Sequence, residues 1–226
     1  MLSDKLSVYL VADPDQSDGD VLGIVEAALA GGVTAVQLRA KSGTDRERFH
    51  LAQNLQELCD EHSALFIVND RFDIALALTA NGVHLGADDL PIFHTRGVAP
   101  DGFIIGYSPA NADNAKEAGD AETDLSQVGF EGADYLGIGP VFDTRSKPDA
   151  GEALGLEAFS RRVKLAGIPC IGIGGIDANN AASVIELGAV GVAVMSSVLR
   201  APDPEKAAWE IASAVREAKT ISGRTT

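Results

Sequence analysis

The chain has 226 residues, 46% of them hydrophobic and 23% charged, which is enough apolar side chain for one large buried core and excludes an intrinsically disordered protein. No stretch reaches the roughly 18 consecutive apolar residues of a membrane-spanning helix, and residues 1–10 lack the basic start and apolar run of a signal peptide, so no membrane contact and a cytoplasmic location are expected. A formal net charge of −15 excludes nucleic acid as an expected partner, because binding a polyphosphate needs basic surface to displace its counterions.

Short β-branched runs alternate with amphipathic segments along the whole chain. The apolar runs fall at 8–11, 33–38, 65–68, 82–85, 103–107, 135–138, 168–173 and 190–195. The intervening helical patterns cover 20–30, 45–62, 71–79, 111–118, 156–165, 179–187 and 204–219, with a weaker one near 89–95. Hydrophobic strands that do not alternate, each followed by a helix, predict a parallel sheet covered on both faces. Eight such units predict an α/β fold closed into a single-domain (β/α)8 TIM barrel over residues 1–226, with 220–226 a frayed tail. An open doubly wound sheet fits less well, since a Gly-rich turn would then follow the first strand and Ala12-Asp13-Pro14-Asp15 stands there. Cys59 and Cys170 belong to no CxxC pair and are read as buried thiols.

In a barrel the loops after the strands build the site, so polar residues at strand ends carry the information. After the second run comes Gln37-Leu38-Arg39-Ala40-Lys41. A two-residue period puts Gln37, Arg39 and Lys41 on one face and Leu38 and Ala40 on the other. Parallel barrel strands have no solvated face, so that row points into the mouth, and two cations there imply an anionic ligand. Asn69-Asp70-Arg71 follows the third run and His84-Leu85-Gly86-Ala87-Asp88-Asp89 the fourth. Asp70 and Asp89 can share a divalent cation such as Mg2+; either can equally cap the helix that follows, and Asp88 competes with Asp89. His84, inside an apolar strand, reads as a packed, hydrogen-bonded core residue. Ser108 stands at a loop start with no His close in sequence, so a serine nucleophile is not implied. The donor-rich segment 139–148 suits a lid with anion contacts and equally a solvated loop. Gly174-Gly175 after the seventh run, with Ser196 after the eighth, matches the phosphate site that recurs at this end of TIM barrels.

On these motifs, together with Gly82 to Pro91 and Gly137-Ile138-Gly139-Pro140-Val141-Phe142, the chain resembles the thiamine phosphate synthase family over nearly its whole length. The resemblance implies that Gln37, Leu38, Arg39, Ala40, Lys41, Asn69, Ser108 and Lys147 hold an aminopyrimidine diphosphate. It implies that Asp70 and Asp89 bind Mg2+, that Thr144, Arg145 and Ser146 meet a thiazole phosphate, and that Gly175, Met195 and Ser196 complete its phosphate cup. Arg39, Lys41, Ser108 and Lys147 are its expected catalytic residues. The implied reaction joins 4-amino-2-methyl-5-hydroxymethylpyrimidine diphosphate to 4-methyl-5-(2-hydroxyethyl)thiazole phosphate with release of diphosphate. Two departures stand out: Ala87 where the family commonly has Gln, and Pro109 after Ser108 where relatives often carry a hydroxyl or His. The sister thiazole tautomerases are expected to use a His in that loop, and Ser108-Pro109-Ala110-Asn111 offers none. Other readings are a sugar-phosphate isomerase or epimerase, which would need a proton-transferring pair, and a non-catalytic barrel that binds thiazole phosphate. The small phosphorylated substrates are the expected partners; a homo-oligomer is left open.

Overall fold

The computed structural model describes residues 1–17, 19–109, 125, 128–129, 131–144 and 151–223. Eight parallel strands close into a barrel in sequence order: β1 (Val8–Ala12), β2 (Ala35–Leu38), β3 (Leu65–Asn69), β4 (Gly82–Gly86), β5 (Ile104–Ser108), β6 (Tyr135–Ile138), β7 (Cys170–Ile173) and β8 (Gly191–Val194). Closure is direct, with Tyr9 of β1 opposite Ala35 of β2 on one side and Ala193 of β8 on the other.

Alternate residues of each strand serve two different cores. Tyr9, Val11, Ala35, Ile67, Tyr135, Ile171 and Ala193 fill the barrel interior. Leu10, Val36, Phe66, Val83 and Val192 face outward and pack under the helices. Both faces are therefore apolar, which is why the strands read as continuous hydrophobic runs.

The helices are α1 (Leu2–Lys5), α2 (Val21–Ala30), α3 (Asp45–Glu61), α4 (Phe72–Leu78), α5 (Ile92–Val98), α6 (Gly155–Leu165), α7 (Ala181–Glu186), α8 (Ser196–Leu199) and α9 (Pro204–Ile221). Local chemistry fixes several starts. Asp20 accepts a hydrogen bond from the Leu22 N–H, Thr44 and Glu47 form a capping box, and Asp203 accepts from the Lys206 N–H with Pro204 opening α9.

Three expectations are corrected. The weak helical pattern near 89–95 lies further on, as α5, because Pro91 holds an extended φ/ψ and forms the cap. The eighth strand stops at Val194, one residue short of its apolar run, because Met195 caps the short α8 that Ser196 opens. Helix α9 runs through Thr220 and Ile221, two residues into the segment expected to fray, its amphipathic face carrying Ile211, Val215 and Ala218 against the core. The expected helix at 111–118 lies outside the described residues. At the barrel floor the short α1 brings Leu2 and Leu6 onto the interior cluster.

Candidate active site

The row after β2 divides as its parity requires. Leu38 and the partly buried Ala40 pack outward on the helix-covered core, so any part they take in binding is through the backbone. Gln37, only 5% exposed, turns into the barrel and donates from Nε2 to Tyr9 Oη at 3.0 Å. Arg39 leaves the end of β2 beside the end of β1, where Asp13 is 1% exposed and its Oδ2 lies 2.5 Å from Arg39 Nη1. Lys41, half-exposed, donates from Nζ to Asp70 Oδ2. Arg48 on α3 holds this loop from behind through the carbonyls of Ala40, at 2.9 Å, and Lys41, at 3.2 Å.

Asp70 follows β3 with φ +60°, a left-handed conformation uncommon for a residue with a Cβ, and its N–H donates to the His84 carbonyl at 2.9 Å. Asp89 closes the turn after β4 by accepting from the Gly86 N–H at 2.7 Å through Oδ2. Neither carboxylate caps a helix: Arg71 and Pro91 occupy those positions, without side-chain cap bonds. Partial burial raises the Asp89 pKa, and the Asp70 carboxylate within hydrogen-bonding reach raises it further, against the lowering effects of the Gly86 N–H and of Lys41. The two acids therefore face each other, whereas Asp88 is exposed. Arg71 is turned away, held by Asp45 at 2.5 Å and Asp73 at 2.7 Å.

His84 is buried and hydrogen-bonded, as its apolar strand predicts, with Nδ1 3.0 Å from Tyr135 Oη and Nε2 2.8 Å from Ser108 Oγ. Ser108 thus has a histidine beside it that its sequence neighbourhood does not reveal. Asn69 ends β3 in register with His84.

On the other side of the mouth, the segment after β6 is tied to the end of β7. Val141 N donates to the Ile173 carbonyl at 2.8 Å and Phe142 N to the Gly174 carbonyl at 3.1 Å. Gly175 has φ +65°, and a Cβ there would lie 2.6 Å from the Asp143 carbonyl oxygen and 2.8 Å from Phe142 Cβ. The Gly-Gly turn is therefore required by the close approach of the β6 loop, a reason independent of any anion. Asn180 ties the same turn down, donating from Nδ2 to the Gly175 carbonyl at 2.9 Å. Met195 and Ser196 follow β8 alongside β7. Thr144 is the last described residue of the 139–148 segment; Arg145, Ser146 and Lys147 lie outside the described residues.

One mouth therefore gathers Arg39, Lys41, Asp70 and Asp89 from three successive strand ends, with Ser108 at the end of the strand after them. Residues 8–198 match the family model described as thiamine monophosphate synthase. The chain belongs to the thiamine-phosphate synthase family. The transferase activity expected from the sequence, formation of thiamine phosphate with release of diphosphate, is that of the family. Among its relatives, the thiamine-phosphate synthase of Archaeoglobus fulgidus is 41% identical over 219 residues, covering 97% of this chain and 98% of the relative. That of Haloarcula marismortui is 43% identical over 216 residues, covering 94% and 98%. The solved thiamine phosphate pyrophosphorylase of Pyrococcus furiosus superposes with a TM-score of 0.82 at 38% identity, covering 96% of this chain and 99% of its own.

Sequence reasoning missed Asp13, Arg48 and Asn180, each of which acts by holding another residue of the mouth. The signal for Asp13 was available, since a lone acid directly after an apolar strand stands at the same end of the barrel as Arg39.

Proposed function

We propose that this mouth binds 4-amino-2-methyl-5-hydroxymethylpyrimidine diphosphate and 4-methyl-5-(2-hydroxyethyl)thiazole phosphate and joins them into thiamine phosphate. The observation that carries the reading is that Arg39, paired with Asp13, and Lys41, paired with Asp70, stand at the same mouth as the facing carboxylates Asp70 and Asp89, on three successive strand ends. Cations suit a diphosphate, and two hard carboxylates facing each other suit a divalent cation.

Asp70 and Asp89 fit Mg2+, which commonly takes one or two carboxylates and fills its remaining positions with water and phosphate oxygens. Bound there, the ion supplies positive charge against the departing diphosphate. Arg39 and Lys41 add fixed and mobile positive charge: Arg39 is oriented by Asp13, and Lys41 can exchange Asp70 for a phosphate oxygen. Lys147 has the same role in the reading drawn from the family, with Asn69, Ser108 and the Gln37–Lys41 segment holding the pyrimidine diphosphate.

The chemistry needs no protein base. The C–O bond to the pyrimidine methylene breaks with its electron pair leaving on the diphosphate, and the electron-rich aminopyrimidine ring carries the resulting positive charge. The thiazole nitrogen then forms the C–N bond with its own lone pair. Thr144, Arg145, Ser146, Gly175, Met195 and Ser196 are assigned to the thiazole phosphate. The setting is cytoplasmic, and among the described residues no helix is long and apolar enough to cross a membrane.

Incubating the chain with both precursors and Mg2+ tests this reading. Thiamine phosphate and diphosphate in equal amounts are expected; absence of thiamine phosphate overturns it.

A further inference from the structure

A continuous line of polar side chains crosses the barrel interior. Gln37 Nε2 donates to Tyr9 Oη at 3.0 Å, Tyr9 Oη lies 2.8 Å from Tyr135 Oη, Tyr135 Oη lies 3.0 Å from His84 Nδ1, and His84 Nε2 lies 2.8 Å from Ser108 Oγ. The line joins β2 to β5 by way of β1, β6 and β4, through a region otherwise filled by apolar side chains. Two glycines make room for it. A Cβ on Gly106 would lie 2.3 Å from Tyr135 Oη and 2.5 Å from His84 Nδ1, and one on Gly137 would lie 2.9 Å from Ser108 Oγ.

With Gln37 Nε2 as the donor at one end and a neutral His84 ring, the hydrogens in this line run one way. Burial pushes both phenols well above their ordinary pKa, so each keeps its proton and has one hydrogen to donate. An amide nitrogen only donates, so Tyr9 accepts from Gln37 and passes its own hydrogen to Tyr135. Tyr135 then donates to His84 Nδ1, which must be bare. In the neutral ring this leaves the hydrogen on Nε2, which donates it to Ser108 Oγ. With that lone pair occupied, the Ser108 hydroxyl hydrogen is free to point away from His84. Reversing the line would make Ser108 donate to His84 and present only lone pairs to an anion.

We propose that Tyr9, Tyr135 and His84 are positioning residues that lock the Ser108 hydroxyl as a hydrogen-bond donor to the diphosphate group. The same arrangement bars Ser108 and His84 from acting as a nucleophile–base pair, because Nε2 already holds a proton. The proposal rests on the reading of Ser108 as a diphosphate contact, and its test separates the two.

Substituting the three exposed histidines (His50→Gln, His62→Gln, His94→Gln) leaves His84 as the sole histidine of the four for 15N NMR. The ligand-free protein at neutral pH is expected to show a neutral ring with its hydrogen on Nε2; a ring protonated on Nδ1, or on both nitrogens, overturns the proposal whatever the protein catalyses. The second measurement is affinity for inorganic diphosphate with Mg2+ in Ser108→Ala, Tyr135→Phe and the double variant. Tyr135→Phe is expected to weaken binding about tenfold, and the double variant to be no weaker than Ser108→Ala. Equal losses that simply multiply in the double variant would mean a structural role and overturn it. If wild-type protein forms no thiamine phosphate while both results hold, the wiring stands and the assigned reaction fails.

Discussion

Asp13 Oδ2 lies 2.5 Å from Arg39 Nη1, joining the ends of the first two strands, with the carboxylate 1% exposed and the guanidinium 15%. The aspartate also accepts from the Asp15 N–H at 3.0 Å, so it is fixed at both oxygens before it orients the arginine. Asp13→Asn keeps the shape and removes the charge, leaving a largely desolvated guanidinium without its counterion. The expected loss of stability is about 1–3 kcal/mol, read by denaturant unfolding, with a raised KM for the pyrimidine diphosphate. Unchanged stability and KM would mean that Arg39 is positioned by something else.

The facing acids make a pH prediction. The folded-state pKa of Asp89 is raised, by burial first and by Asp70 next. A raised carboxyl pKa means the folded state binds the proton more tightly, so this contribution to stability is present at low pH and is lost as pH rises through the folded pKa. At neutral pH ionised Asp89 is therefore a burden on the metal-free protein. Asp89→Asn is expected to melt slightly above wild type without Mg2+, to lose the stabilisation by Mg2+ and diphosphate, and to lose turnover. A variant still stabilised by Mg2+ and diphosphate as wild type is would remove Asp89 from the metal site.

Gly175→Ala tests the seam between the β6 loop and β7. At φ +65°, with the Asp143 carbonyl 2.6 Å from the added Cβ, the methyl can be placed only by moving the loop. A loss of about 1–3 kcal/mol is expected, together with weaker binding of thiazole phosphate. Retained affinity for that ligand would show that the turn is structural alone.

The surface makes a prediction of its own. A net charge of −15, with 20 Asp and 13 Glu against 18 Lys and Arg, repels itself in dilute buffer. Raising KCl from about 0.1 M to about 2 M screens that repulsion, and the melting temperature is expected to rise. A flat or falling melting temperature would refute the link between the acidic composition and salt.

The barrel was legible because its strands are buried on both faces and appear as apolar runs, and the mouth because most of the charged residues near those runs gather just past their ends, with His84 and Gln37 the polar exceptions inside them. Gln37, Arg39 and Lys41 fell on one face by parity alone. What sequence could not supply was lateral adjacency. His84 and Ser108 are 24 residues apart and meet only because β4 and β5 pair in a register that sets Gly86 beside Ser108. Asp13 and Arg39, 26 residues apart, meet for the same reason between β1 and β2. The Val-Met end of the eighth run hid the start of α8, since nothing in local propensity separates a strand's last apolar residue from a short helix's cap. Local sequence does not separate a cap from a facing pair at Asp70 and Asp89; the fold does, because Arg71 and Pro91 occupy the cap positions.

In the proposed reaction, charge gathered at the strand ends, with Asp70 among its holders, draws diphosphate from the pyrimidine. Asp70→Ala, assayed for turnover of both precursors with Mg2+ alongside binding of thiazole phosphate, separates this role from a structural one. Turnover is expected to fall by about 100-fold or more while thiazole phosphate still binds as to wild type. Turnover near the wild-type rate would contradict the account.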